Sequence, residues 1–239
     1  MTSKSELVAS QHSVSKFIIA SSKPIYTVPR ESKEPFFGSL FTWVSNETEL
    51  ESMIKEMTGI RYIFFLHWNW LVPESIWNNY ECVCFHMTDV PYGRGGSPLQ
   101  NLIDRGHSHT QLTALRMVKE MDAGPVYAKR PLSLEGTAHE IYIRAGRLSY
   151  EIMQWMIEQE PTPVAQEGEP TIFKRRKPEQ SQLPSEGELC RIYDHIRMLD
   201  APTYPHAFIE YGDFSLEFTG ASIDEQEVSA TVRFRRKIR

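Results

Sequence analysis

His86 and Asp122 are the two side chains of this sequence best suited to passing a proton between them. Cys82-Val83-Cys84-Phe85 is a short, bounded apolar run of the kind that forms a buried strand, and it delivers His86 at its carboxyl end. Open α/β sheets carry their chemistry at that edge. Asp122 opens a tight turn, Asp122-Ala123-Gly124-Pro125, which lies 36 residues beyond His86. Between them the sequence predicts a loop rich in glycine and proline (Pro91, Gly93, Gly95, Gly96, Pro98), a helical patch over 99–104 and a strand over 110–118. An imidazole beside a carboxylate can take a proton from an attacking nucleophile while the acid orients the ring and balances its charge. A lone strand-end histidine could equally be a satisfied core residue; the pairing with an aspartate in the next turn gives His86 a chemical reading.

The elements that must bring the pair together follow from hydrophobic patterning. The apolar segments 16–20 and 40–44 read as strands, and Ser45 or Asn46 caps a helix with Glu47 and Glu49 in its first turn. Leu50, Met53, Ile54 and Met57 repeat along that helix at helical spacing, and Gly59 stops it. The continuous run 62–66 predicts a strand covered on both faces. It leads into His67-Trp68-Asn69-Trp70-Leu71-Val72-Pro73, at the same sheet edge as His86. Flat apolar walls with a few polar groups there suit a planar heterocycle, although the loop could also simply plug the sheet end. A strand over 126–134 and a helix over 138–159, capped by Thr137, complete the main layer. The composition then turns to Pro, Glu, Gln and Gly over 160–169, which reads as a linker. A basic knot, Lys174-Arg175-Arg176-Lys177, is either solvated surface or a phosphate contact. The tail predicts a helix over 186–198 and three short strands at 207–211, 214–218 and 228–235, with turns at Gly212-Asp213 and at Gly220.

Length and composition bound these readings. With 239 residues, 41% of them hydrophobic, the chain can hold one substantial domain and a smaller partner around a packed core. We assign 1–160 to a main domain, 161–185 to a linker and 186–239 to a small carboxyl-terminal domain. The formal charge of −5 does not advertise a nucleic-acid binder. No window reaches a membrane span and the amino terminus shows no signal core, so a cytoplasmic location is expected. Cys82 and Cys84 alternate on one strand and point in parallel, so they cannot bridge each other, in keeping with a reducing compartment. No GxGxxG is present, which argues against a dinucleotide. His107 and His109 share a strand face, but no third ligand is evident and no metal is assigned.

Taken together, the central stretch resembles the N10-formyltetrahydrofolate-dependent formyltransferases, whose pattern is Asn-x-His, a Leu-Pro-x-x-Arg-Gly loop and a later Asp-x-Gly. Val90-Pro91-Tyr92-Gly93-Arg94-Gly95 matches the loop with one conservative change, and Asp122-Ala123-Gly124 matches the last element. The segment 68–73 looks like the family's folate loop, and 196–208 is similar to the opening of its carboxyl-terminal domain; the likeness runs from about residue 60 to 235. The resemblance implies an α/β, Rossmann-like fold with a central, mostly parallel sheet and a small β-rich carboxyl-terminal domain. It also implies His86 and Asp122 as catalytic residues, with N10-formyltetrahydrofolate held by Asn69, Trp70, Leu71, Val72 and Asp122. Met87, Thr88, Asp89, Tyr92 and Arg94 are the positions expected to meet the acceptor. The acidic composition and the run HMTDVPYGRGGSPLQNL point to the branch that formylates a UDP-linked 4-amino-4,6-dideoxy sugar on the pseudaminic acid pathway, with no nucleic acid or membrane partner and a homodimer as a family expectation. The rivals are methionyl-tRNA or another amine as acceptor, or a fold that only binds folate or a nucleotide sugar. One departure stands out: the family's asparagine, a donor to the developing oxyanion, is Cys84 here. A thiol is a weak donor, and loss of one oxyanion donor costs roughly 10²- to 10³-fold in rate. Asn69 or a bound water could take its place.

Overall fold

The computed structural model describes residues 16–23, 26, 41–202 and 204–237; the expectations for 1–15, for most of 21–37 and for Leu40 lie outside them. Strands β1 (Lys16–Ala20), β2 (Phe41–Val44), β3 (Ile60–Phe65), β4 (Cys82–His86), β6 (His109–Arg116) and β7 (Val126–Ser133) form one six-stranded sheet in the order β2-β1-β3-β4-β6-β7. The first four pair in parallel, and β6 and β7 add antiparallel at one edge. The expected central, mostly parallel sheet is therefore present.

Strand alternation divides the core between the sheet's faces. Phe17, Ile19, Tyr62, Phe64 and Val83 belong to the larger cluster, where they meet Ile141, Ala145 and Ile152 from the long helix 138–159. Ile18, Ala20, Ile63, Phe65 and Cys82 belong to the other, capped by Leu50 and Ile76. Both faces are thus covered, as the continuous apolar runs require. Each fully buried Leu, Ile or Phe contributes about 1.5–3 kcal/mol, so these strands are the fixed part of the molecule.

Two helices follow the capping logic of their sequences. Helix α1 (Glu47–Glu56) starts where Asn46 Oδ1 accepts the Glu49 N–H at 2.9 Å and Glu49 reaches back to the Ser45 N–H at 2.6 Å. A short helix α2 (Glu74–Trp77), not anticipated from the sequence, closes the 67–73 loop, and α3 (Pro98–Asp104) follows the glycine-rich segment after His86. Helix α4 (Ala138–Gln159) begins with a reciprocal capping box between Thr137 and Glu140, whose hydrogen bonds also hold the Glu140 carboxyl below its ordinary range.

The glycine-rich segment after His86 is more ordered than a loop. Tyr92–Gly95 forms strand β5, which pairs in parallel with β8 (Thr171–Phe173) in a separate two-stranded ribbon. Phe173, at the head of the basic knot, is 2% exposed.

Helix α5 (Leu189–Arg197) leads into an antiparallel sheet of β9 (Ala207–Tyr211), β10 (Phe214–Ile223) and β11 (Val228–Arg236). Gly220 is not a turn as expected. It lies within β10 at a register shift, and the hairpin turn falls at 224–227, where Asp224 accepts the Gln226 and Glu227 N–H groups. An aspartate that can close its own turn displaces the glycine signal. Helix α5 is fastened to the main layer by its last residue, Arg197, which donates to the Leu134 carbonyl at 2.6 Å and the Gly136 carbonyl at 3.0 Å and is 8% exposed. Gln100 adds bonds to the Tyr142 hydroxyl and the Met198 carbonyl.

Candidate active site

His86 ends β4 with 6% of its surface exposed, held between backbone and carboxylate. Its Nε2 donates to the Gly93 carbonyl at 2.8 Å, and its Nδ1 lies 3.5 Å from Asp122 Oδ2. A carbonyl only accepts, so Nε2 carries a hydrogen, and Nδ1, on the side of Asp122, is the nitrogen left to gain or lose a proton. Gly93 presents that carbonyl because its φ of 77° lies in the left-handed region, where a side chain would also meet Thr88 and Phe173.

Asp122 reaches His86 across 36 residues because the turn that bears it is tightly folded. Its own φ is 53°, a left-handed value that aspartate tolerates better than most residues, and its Oδ2 accepts the Gly95 N–H at 2.9 Å. Gly124 is fixed by close approach: a Cβ there would come 1.8 Å from the Arg116 carbonyl oxygen. The Asp-x-Gly pattern thus has a local cause in both of its specified positions. Strand β6 ends at Arg116 rather than at 118, because the backbone must turn there for Arg116 N–H to meet the Pro125 carbonyl.

A cavity of about 820 Å³ opens on this pair, within the usual size of small-molecule sites. One part of its wall is neutral and aromatic: Trp68, Trp70 and Trp77 with Leu71, Val72 and Met117. Trp68 stands edge-on to both Phe65 and Trp70. Asn69 and Cys84 line it as well. Burial first, and then the Asp122 charge, push the Cys84 thiol far above its ordinary range, so it stays protonated; burial likewise takes Cys82 up to about 12. Neither can be the thiolate that a nucleophilic cysteine requires.

The rest of the lining is mixed, with five cations among apolar and polar residues. Lys23, Lys119, Arg175, Arg176 and Lys177 line the cavity, against Asp122 as the one carboxylate among the described lining residues. Arg175 packs against Gly96, next to the Gly95 amide that holds Asp122. Lys23 lies over the rings of Tyr142 and Tyr204, and burial, followed by the charge of Arg175, lowers its pKa. Arg176 shares its charge with Asp104 at 3.8 Å. Close cations in a concave wall attract anions. His67, with a φ of 49° and packed on Tyr26 and Tyr142, is held neutral because burial, aided by Lys23, brings it down to about 3.

Of the residues singled out in the sequence, His86, Asp122, Asn69, Trp70, Leu71, Val72 and Met87 all line this cavity. Thr88, Asp89, Tyr92 and Arg94 do not. Thr88 is wholly buried, with its hydroxyl on the Gly93 carbonyl and its own carbonyl accepting from Thr113. Asp89 pairs with Lys129 at 2.5 Å, Tyr92 meets His107 at 3.0 Å and Arg94 donates twice to Gln166. Among the described residues no group of three or more His, Cys, Asp and Glu could hold a metal ion, and no helix is long and apolar enough to cross a membrane. Sequence reasoning missed Lys23, Tyr142 and Gln166. The first two carry no local pattern, and Gln166 lies in a stretch whose composition reads as a linker.

Comparison with known proteins matches this architecture. The profile of the methionyl-tRNA formyltransferase carboxyl-terminal domain matches residues 178–235. Among curated relatives, a methionyl-tRNA formyltransferase of Sorangium cellulosum is 28% identical over 152 residues, 61% of this chain and 48% of the relative. The chain thus spans about half the length of that relative. The structure titled methionyl-tRNA formyltransferase from Clostridium thermocellum superposes with a TM-score of 0.86 at 41% identity, covering 93% of this chain and 100% of that one. HypX from Aquifex aeolicus, solved with tetrahydrofolic acid, shares the fold at a TM-score of 0.70, 16% identity and 90% and 39% coverage. A sugar N-formyltransferase from Shewanella does so at 0.61, 13% identity and 86% and 97% coverage. The sequence matches therefore favour the methionyl-tRNA formyltransferases over the sugar enzymes expected from the central run. Matched along the full length of the Clostridium thermocellum structure at that identity, the chain belongs to the formyltransferase family.

Proposed function

We propose that this protein transfers a formyl group from N10-formyltetrahydrofolate to the primary amine of an acceptor that carries phosphate. The observation that carries this reading is one cavity lined by the His86–Asp122 pair, by the aromatic loop and by five cations. The aromatic wall suits a pterin, with the 68–72 main chain and Asn69 available to its polar edge. N10-formyltetrahydrofolate, when bound, supplies the activated formyl carbon and its leaving nitrogen. That five of the described lining residues are cationic supports an anionic acceptor.

His86 Nδ1 takes the proton that the acceptor amine must lose. The imidazolium so formed donates from Nε2 to the Gly93 carbonyl and from Nδ1 to Asp122, so both of its N–H groups have acceptors in place and the ring does not turn. Nδ1 then returns the proton to the departing nitrogen. Asp122 is held by the Gly95 N–H in the meantime. Cys84, a protonated thiol at the position of the family's asparagine, and Asn69 both line the cavity and are the side chains we offer as donors to the oxyanion.

Methionyl-tRNA is the acceptor we favour, since matches at 28% and 41% identity bear that name whereas the Shewanella sugar enzyme matches at 13%. The acidic balance of the chain, −5 overall, keeps a nucleotide-linked amino sugar as the second reading. Incubating the protein with N10-formyltetrahydrofolate and either methionyl-tRNA or a set of UDP- and dTDP-linked 4-amino sugars separates them by which acceptor gains a formyl group. Formylation of the tRNA supports the first reading and of a sugar the second. Donor binding with no transfer to any amine rejects both.

A further inference from the structure

Gln166 lies in the Pro- and Glu-rich stretch after α4, two residues beyond Val164, which exchanges both backbone hydrogen bonds with Val126. Its side chain makes four contacts. Nε2 donates to the Asp122 carbonyl at 2.8 Å and to the Gly124 carbonyl at 2.7 Å, while Oε1 accepts from Arg94 Nε at 3.0 Å and Nη2 at 2.8 Å. Both amide hydrogens and both oxygen lone pairs are thereby used. Arg94 stands between Gly93, whose carbonyl fixes His86 Nε2, and Gly95, whose N–H fixes Asp122 Oδ2. One amide therefore ties the strand that orients the histidine to the turn that carries the carboxylate.

We infer that Gln166 is a positioning residue, which sets the separation of His86 and Asp122 by clamping the Asp-x-Gly turn to the Arg94 strand. The turn needs such a clamp. Asp122 adopts a left-handed backbone at a φ of 53°, a conformation that persists in non-glycine residues only where the surroundings over-determine it. The 3.5 Å spacing between Nδ1 and Oδ2 leaves little room for the carboxylate to drift before the pair is broken. The inference also explains why Arg94, expected at the acceptor, faces away from the cavity: its guanidinium is the other jaw of the clamp.

The inference rests on the formyl-transfer reading for its kinetic test, and two variants isolate the clamp. Gln166→Met removes all four contacts with little change in size. Gln166→Glu keeps the acceptor for Arg94 but sets a carboxylate oxygen against two carbonyls. Both should lower kcat for formyl transfer by about 10- to 100-fold, with KM for donor and acceptor within about two-fold of wild type and with thermal midpoints little changed. Crystal structures of the two variants should show the Asp122 carboxylate withdrawn from the Gly95 N–H. A Gln166→Glu protein with wild-type kcat, or variants whose losses fall on KM alone, would overturn the clamp. Should a variant not fold, Arg94→Lys tests the other jaw: it keeps the charge, loses the forked geometry, and should also lower kcat rather than raise KM. If the wild-type chain transfers no formyl group to any acceptor, the functional reading fails separately, and the crystal structures then decide: an unmoved Asp122 turn rejects the clamp, a displaced one supports it.

Discussion

The ring nitrogens of His86 have different partners, and that difference assigns their roles. Nε2 is committed as a donor to a carbonyl, so only Nδ1 can receive a proton, and the carboxylate stands on that side to balance the charge that results. Asp122→Asn keeps an oxygen for the Gly95 N–H but removes the charge. We expect kcat to fall by about 10²- to 10⁴-fold while the dissociation constant for the donor, measured by calorimetry, rises by far less. His67 gives a second expectation, in stability. Its folded-state pKa of about 3 lies below the ordinary 6.5, so between those values the unfolded chain binds a proton that the folded chain refuses. Stability should therefore be full above about pH 6.5 and decline as pH falls toward 3, at up to about 1.4 kcal/mol per pH unit from this group. His67→Asn tolerates the left-handed backbone and cannot charge; urea unfolding at several pH values should show a shallower acid limb, even if the variant is less stable throughout. At this scale the sequence was informative where residue type and spacing formed a pattern, as at His86, Asp122 and Trp68 to Val72. It was silent on Lys23, Tyr142 and Gln166, which reach the site only through folding.

Elements explain why two distant residues meet. β4 delivers His86 at its carboxyl end, whereas β6, antiparallel to it, ends with Arg116 opposite Val83, so the β6–β7 connection itself must carry Asp122 back to His86. The turn itself depends on Gly124. Gly124→Ala should push the turn off the Arg116 carbonyl and carry Asp122 with it, so transfer should fall by about 10²-fold or more with a loss of only a few degrees in Tm. A variant with full activity would show that the turn is free to adjust. The six strands of the main sheet, the long helix and the carboxyl-terminal strands could be read from periodicity and caps. The β5–β8 ribbon could not, because a four-residue strand holding two glycines has no alternation to reveal it, and its partner lies among prolines and charges.

Across the whole molecule, charge is unevenly distributed. A balance of −5 suggested no nucleic-acid partner, yet five cations line one cavity. Net charge averages over the surface, whereas a ligand senses charges within a Debye length, about 10 Å at 0.1 M salt. We expect KM for the acceptor to rise steeply between 50 and 200 mM salt, by about 10-fold or more for a tRNA, while donor affinity changes by less than about two-fold. Arg175→Glu should raise acceptor KM at low salt and flatten that dependence. Equal salt responses for donor and acceptor would remove these cations from acceptor binding.

Strand and helix periodicity, the caps at Asn46 and Thr137, and the His86 and Asp122 motif are properties of neighbours along the chain, so the sequence by itself determined the layered α/β architecture, the candidate pair and the aromatic loop. The separation of that pair, the bonds of Gln166 to Arg94 and the Asp122 turn, and the gathering of cations at the cavity were decided only by tertiary structure. Each depends on groups brought together from segments many residues apart, such as Lys23, Arg94, Gln166 and Arg175, and local patterning carries no record of which of them will touch.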